Sequence, residues 1–268
     1  MRHSLSGAER GIVTPCASIW TPLPPIPPIS GAAVSHDDLV LEAADGNRLA
    51  AFAAKPEEPV SVGVVILPDV RGLYRFYEEL ALRFAERGYA AVAIDYFGRT
   101  AGVAKRGDAF EYMPHVERTT QDGIQSDVAA AAAYLRSPEG GACGAVFTVG
   151  FCFGGRNSWL AAVGGHGLAG AIGFYGRSGP GRDGSPGPTQ RAHEIAAPIL
   201  ALMGGDDPGI PVDEVDAFDV ALDSAGVEHE VVIYPGAPHS FFDRKYEEFA
   251  AESEDAWGRV LAFLERYS

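Results

Sequence analysis

The chain has 268 residues, enough for one large α/β domain with a well-buried core. Its 36 acidic against 21 basic side chains leave a formal charge of -15, a field that repels nucleic-acid phosphates and anionic membrane surfaces, so neither is expected as a partner. Three cysteines, Cys16, Cys143 and Cys152, fit neither a disulfide framework nor a zinc site with paired ligands; with no membrane-length apolar run and no export signal, the expectation is a cytoplasmic protein.

In chain order, residues 15–31, PCASIWTPLPPIPPISG, hold six prolines, which fix φ and remove donors, so neither a helix nor a central strand persists there. Residues 1–36 therefore read as an extended arm. Its apolar Ile19, Trp20, Leu23, Ile26 and Ile29 suit docking on the domain or on a second copy of the chain, which would make a homo-oligomer; disorder is the alternative. A single domain is expected over 37–268. It opens with LVLEAADGNRLAAFAAKP, two strands about an Asp45-Gly46-Asn47 turn, then SVGVVILPD, a continuous β-branched run suited to a strand buried on both faces. FYEELALRFAERG is helical in period and closed by Gly88.

Next come strand YAAVAIDYF, helix TTQDGIQSDVAAAAAYLRS, strand GAVFTVG and helix GGRNSWLAAVG. Strands LAGAIGFYG and PILALMGG, helix VDEVDAFDVALDSAG, strand HEVVIYPG and a last helix from about Tyr246 to Arg266 complete the chain. Such alternation implies a mostly parallel open sheet with helices on both faces, where ligands sit beyond the carboxyl ends of the strands. No internal repeat of fixed period is present.

Three of the loops at strand ends carry chemistry. Gly150-Phe151-Cys152-Phe153-Gly154 has the form G-x-C-x-G, a nucleophile elbow with sulfur in place of the usual serine oxygen. A helix N-terminus favours thiolate over thiol, which makes Cys152 a candidate nucleophile; a buried structural cysteine is the plain alternative. MGGDDPGIP and YPGAPHSFF follow later strands, giving the chain order Cys, Asp, His used by α/β-hydrolases. Of seven histidines, only His239 follows a late strand and precedes an apolar pair, Phe241 and Phe242, able to seat its ring. Asp207, beside Pro208, is preferred over Asp206 as the residue that orients it. The adjacent carboxylates lack a third ligand at metal-binding spacing, so no metal and no cofactor are expected.

GFCFGG, MGGDDPGIP and HSFFDR together resemble the dienelactone hydrolases, the carboxymethylenebutenolidase-like branch of the α/β-hydrolases, over about Asp37 to Tyr267. The resemblance implies the α/β-hydrolase fold and carries nucleophile, acid and base onto Cys152, Asp207 and His239. It also places an acidic residue beside the thiol, Asp69 in LPDVRG, where the family usually has glutamate, one methylene longer; an ordinary loop cap is the alternative for Asp69. The family likeness further implies that Arg99, in DYFGRT, meets a substrate carboxylate. A second arginine is expected shortly after the histidine, but Asp243 occupies that spacing, leaving Arg244 or Arg71 as substitutes. Each arginine can equally be a solvated surface charge.

The activity expected is hydrolysis of a small ester or lactone, in some cases carboxylate-bearing, through a thioester, placing the enzyme in class EC 3.1.1. The backbone N–H groups of Phe153 and Val70 would hold the oxyanion. Thr100–Thr119 and Gly176–Glu194 are candidate pocket walls or a lid, with Tyr96, Phe97, Tyr112 and Tyr175 as apolar contacts or as core. An acyltransferase on the same triad, and a non-catalytic scaffold with a sensing or ligand-binding thiol, are the rival functions.

Overall fold

The computed structural model describes residues 23–181 and 183–268. The proline-rich arm before Leu23, with Cys16, Ile19 and Trp20, lies outside the described residues; beyond it, Ile26 is buried in the domain's core and the Ile29 N–H donates to Glu86. Strands β1 (Val34–Glu42) and β2 (Arg48–Pro56) form the expected hairpin, the Asp45 carboxylate accepting the Asn47 N–H in its turn. Next come β3 (Val62–Leu67), α1 (Arg75–Ala85), β4 (Ala90–Ile94), and the short helices α2 (Gly98–Ala101) and α3 (Met113–Val116). Then follow α4 (Gln121–Arg136), β5 (Ala145–Phe151), α5 (Phe153–Ala161), β6 (Gly170–Phe174), β7 (Ile199–Gly204), α6 (Val212–Ala225), β8 (His229–Tyr234) and α7 (Ala250–Tyr267).

The eight strands form one sheet in the order β1-β2-β4-β3-β5-β6-β7-β8. The two pairings made by β2 are antiparallel and the others parallel, the mixed sheet of the α/β-hydrolase fold. The continuous apolar run of β3 is explained by its neighbours on both faces. Val64 and Ile66 enter a core with Phe76, Leu80 and Phe84 of α1 and Val260 and Leu264 of α7, while Val65 and Leu67 meet Val128, Ala131 and Leu135 of α4.

Two expectations shift. The segment Thr100–Thr119 is partly helical, and α7 begins four residues later than its sequence period suggests. The reason lies in the turn before it, where the Ser240 carbonyl accepts the N–H groups of both Asp243 and Lys245. Among the described residues no helix is long and apolar enough to cross a membrane.

Because β3 to β8 run parallel, their carboxyl ends and following loops gather along one edge. Gly204, the last residue of β7, lets two of these loops meet. A Cβ there would stand 2.5 Å from the Ala237 carbonyl oxygen and 2.8 Å from that of Pro238. The space is used by hydrogen bonds: Gly205 N–H to Tyr234 O at 2.8 Å and Asp206 N–H to Ala237 O at 2.9 Å. Gly204→Ala is expected to destabilise the fold by about 2 kcal/mol, the usual cost of forcing an extra methyl into packed structure, read as a lower urea midpoint at unchanged slope.

Candidate active site

Cys152 stands between β5 and α5 with φ 56° and ψ -112°, a backbone state that costs a non-glycine residue about 1–3 kcal/mol and persists only where the surroundings impose it. The glycines around it do so. A Cβ on Gly150 would lie 2.0 Å from Gly154 O, one on Gly154 2.0 Å from Leu67 O, and one on Gly155 2.6 Å from Phe174 O. Only bare backbone allows β5, α5 and the ends of β3 and β6 to crowd together this closely. The Cys152 N–H donates to Phe174 O at 3.0 Å, and its side chain, partly exposed, sits at the positive end of α5.

His239 and Asp207 are brought together by the β7 and β8 loops. The imidazole Nδ1 is 2.5 Å from Asp207 Oδ2, and the other carboxylate oxygen accepts the Gly209 N–H at 2.8 Å. Asp207 is buried and Asp206 exposed, so the geometry distinguishes the two adjacent acids in favour of the former. Burial alone would discourage charge on the imidazole. Its hydrogen bond with Asp207, and then the nearby Cys152 side chain, outweigh that and push its pKa up to about 10. The ring is seated by Tyr175, whose centroid lies 4.9 Å away, while Phe241 and Phe242 are buried among Phe151, Phe174 and Tyr175. Sequence reasoning gave that seat to the two phenylalanines; nothing in the local pattern distinguishes Tyr175 from a core aromatic.

The two backbone donors expected at the oxyanion position stand on adjoining elements. Phe153 opens α5, and the contact of Gly154 with the carbonyls of Leu67 and Pro68 brings the segment bearing Val70 against that helix's first turn. Among the described residues neither N–H has a backbone acceptor.

Beside this segment lies a buried charged cluster. Arg71 grips Asp69 through Nε, at 3.1 and 3.0 Å from the two carboxylate oxygens, and through Nη2 at 2.5 Å from Oδ2; it also donates to the Tyr74 hydroxyl. Asp243, fully buried, stands 3.8 Å from Arg71. Burial, then the neighbouring Asp69 charge, raises the pKa of the Asp243 carboxyl. Burial likewise opposes charge on Arg71, but its bond with Asp69 prevails and raises the guanidinium pKa. The spacing after His239 that suits an arginine therefore holds a buried acid, with Arg71 facing it from another loop.

The remaining candidates are spread more widely. Arg99 is bound on two sides, its Nη2 2.7 Å from Asp45 Oδ2 and its Nη1 2.7 Å from Asp127 Oδ2, so it clamps the β1–β2 turn to α4. Arg244 is exposed, donating to Ser240 Oγ at 2.9 Å. Tyr112 is partly buried against the α4 face of the sheet, and Tyr96 is buried with its hydroxyl donated to Pro68 O. Missed in the sequence was Asp95, at the carboxyl end of β4, which is wholly buried and bonded to Phe97 in its own turn and to two other segments at Leu73 and Arg106. Its signal was available as an acid after an apolar strand in DYFGRT, a stretch read there for its arginine and its aromatic residues. Among the described residues no group of three or more His, Cys, Asp or Glu side chains is arranged to hold a metal ion.

Residues 49–268 match the model of the Dienelactone hydrolase family. The chain belongs to the dienelactone hydrolase family. A relative in Escherichia coli K12, named "Putative carboxymethylenebutenolidase", is 30% identical over 229 residues, 83% of this chain and 84% of its own. One of the same name in Saccharolobus solfataricus is 29% identical, covering 84% of this chain and 96% of its own. The crystal structure called "Putative Dienelactone Hydrolase" from Klebsiella pneumoniae is 27% identical, with a TM-score of 0.77 over 88% of this chain and all of that one (100%). The elbow, the acid loop and the histidine loop of this dienelactone hydrolase family member all fall inside the matched residues.

An imidazole pKa raised from 6.5 to about 10 makes a definite pH signature. The stabilisation from the charged ring is fully present below the unfolded pKa, near 6.5, and is lost as pH rises through about 10. The His239 ring is expected to remain protonated at pH 8 by NMR and to titrate close to its ordinary value in Asp207→Asn. The variant's denaturation midpoint should then lack the alkaline decline expected of wild type.

Proposed function

We propose that the protein hydrolyses a small carboxylic ester or lactone, as an enzyme of class EC 3.1.1, with Cys152 as nucleophile, His239 as proton carrier and Asp207 as its orienter. The reading rests on one observation above all: His239 is hydrogen-bonded to the buried carboxylate of Asp207, and Cys152, at the head of α5, is near enough to help raise the imidazole pKa. A cysteine attacks as its thiolate, the form this mechanism uses.

The thiolate attacks the ester carbonyl, forming a C–S bond while the carbonyl pair moves onto oxygen. The Phe153 and Val70 N–H groups hold that oxyanion. Collapse expels the alkoxide, which takes the proton from His239 and leaves a thioester. Neutral His239 then removes a proton from water as the water attacks the thioester. The second oxyanion collapses, and sulfur departs as thiolate beside the restored imidazolium.

Sulfur leaves more readily than an ordinary alkoxide, so a tetrahedral adduct partitions back to substrate unless the departing oxygen is a stabilised one. An enol, released as its enolate, meets that requirement. An unsaturated lactone or enol ester is accordingly the preferred substrate class, and the names carried by the relatives point the same way.

Wild-type protein is expected to hydrolyse p-nitrophenyl butyrate, with kcat/KM lowered by about 10³-fold or more in Cys152→Ser and in His239→Ala, as when one member of a catalytic unit is removed. Rapid acid quench should trap a butyryl adduct on Cys152, visible by intact mass. Equal turnover in all three proteins would refute the reading.

A further inference from the structure

Two adjacent residues at the carboxyl end of β4 hold both ends of the segment that carries the Val70 N–H. The Tyr96 hydroxyl donates to Pro68 O at 2.9 Å, and the Asp95 carboxylate accepts the Leu73 N–H at 3.0 Å. Between these anchors the chain turns tightly, Arg71 N–H donating to Asp69 Oδ1 at 2.8 Å and Gly72 N–H to Asp69 O at 3.1 Å. Val70 lies inside that turn. The turn also needs Gly72, whose φ is +79° and whose Cβ would stand 2.5 Å from Asp95 Oδ1. Tyr96 also reaches the residue that bears the other donor, its ring packing edge-on against the Phe153 ring at 5.3 Å and 89°.

Asp95 is itself fixed from the opposite side. It accepts the Phe97 N–H at 2.9 Å and Arg106 Nη2 at 2.8 Å, and Arg106 also donates to Gly102 O at 2.6 Å while its guanidinium lies over the Phe110 ring. Asp95 is 0% and Tyr96 2% exposed. A buried ion pair is an expensive way to gain stability, and an apolar replacement is often as stable, so stability alone does not account for the charge. An oxyanion donor, by contrast, loses its effect with displacements well under an ångström, which rewards a rigid anchor.

We infer that Asp95 and Tyr96 are positioning residues that set the spacing between the Val70 and Phe153 N–H groups and so the fit of the oxyanion. The inference rests on the hydrolase reading given above. In it, Asp95 and Tyr96 touch no substrate; they act through the backbone of the Pro68–Leu73 segment.

The test compares Tyr96→Phe, which removes one hydroxyl and keeps the packing, with Asp95→Asn, which keeps an acceptor but weakens the Arg106 pair. For p-nitrophenyl butyrate, kcat is expected to fall about 10-fold in Tyr96→Phe and further in Asp95→Asn, short of the 10²–10³-fold loss of a whole oxyanion donor, with KM within about twofold. A butyl trifluoromethyl ketone, to which the thiolate adds to give a tetrahedral oxyanion, should lose affinity by the same factors. Affinity for the product butyrate should not change. Tyr96→Phe decides the matter if Asp95→Asn fails to fold. Unchanged kcat and ketone affinity in a folded variant, or equal losses of ketone and butyrate affinity, would overturn the inference. Wild-type protein with no Cys152-dependent turnover would instead overturn the hydrolase reading beneath it.

Discussion

The site depends on backbone crowding around Cys152. Three glycines leave no room for a single added carbon, and the absence of those carbons lets β3, β5, β6 and α5 approach until the cysteine is forced into a conformation it would not choose. Strain of this kind is spread over the packed sheet and both of its cores, so no local adjustment relieves it. The thiol consequently stands clear of its own main chain, at a helix head whose partial positive charge costs nothing further to orient.

Electrostatics completes what the crowding begins. Asp207 is buried with one oxygen on a backbone N–H and the other on the imidazole, so its charge has one direction in which to act. A second charged group, Asp69, Arg71, Tyr74 and Asp243, lies under the neighbouring loop, with Arg244 pairing Asp243 from the outer side. Burial and the neighbouring Asp69 charge raise the Asp243 pKa, while the nearby Arg244 and Arg71 charges oppose that rise.

Much of this was legible in the sequence because the signals are local. G-x-C-x-G specifies its own turn, strand periods of two separate cleanly from helix periods of 3.6, and an acid and a histidine each following a late apolar strand must arrive at the same edge of a parallel sheet. Arg99, Tyr175 and Asp95 show the limit. The partners of Arg99, Asp45 and Asp127, stand 54 and 28 residues away, and a guanidinium in sequence carries no mark of whether it faces a ligand or two carboxylates. Tyr175, expected as an apolar pocket contact or as core, supports the histidine ring, a role its strand end does not announce. The importance of Asp95 comes from accepting bonds from Leu73, Phe97 and Arg106, three contacts that no single stretch contains.

The order of the strands divides the site unequally between the middle and the margin of the sheet. Cys152 follows β5, flanked on both sides, whereas Asp207 and His239 follow β7 and β8, the last of which is an edge strand left half open to solvent. Thermal fraying from that margin would strip the imidazole and its carboxylate from the sulfur while the central strands stay paired. Such a molecule would part the acid and imidazole from the elbow before it melts, and the signal that survives longest would come from the middle of the sheet.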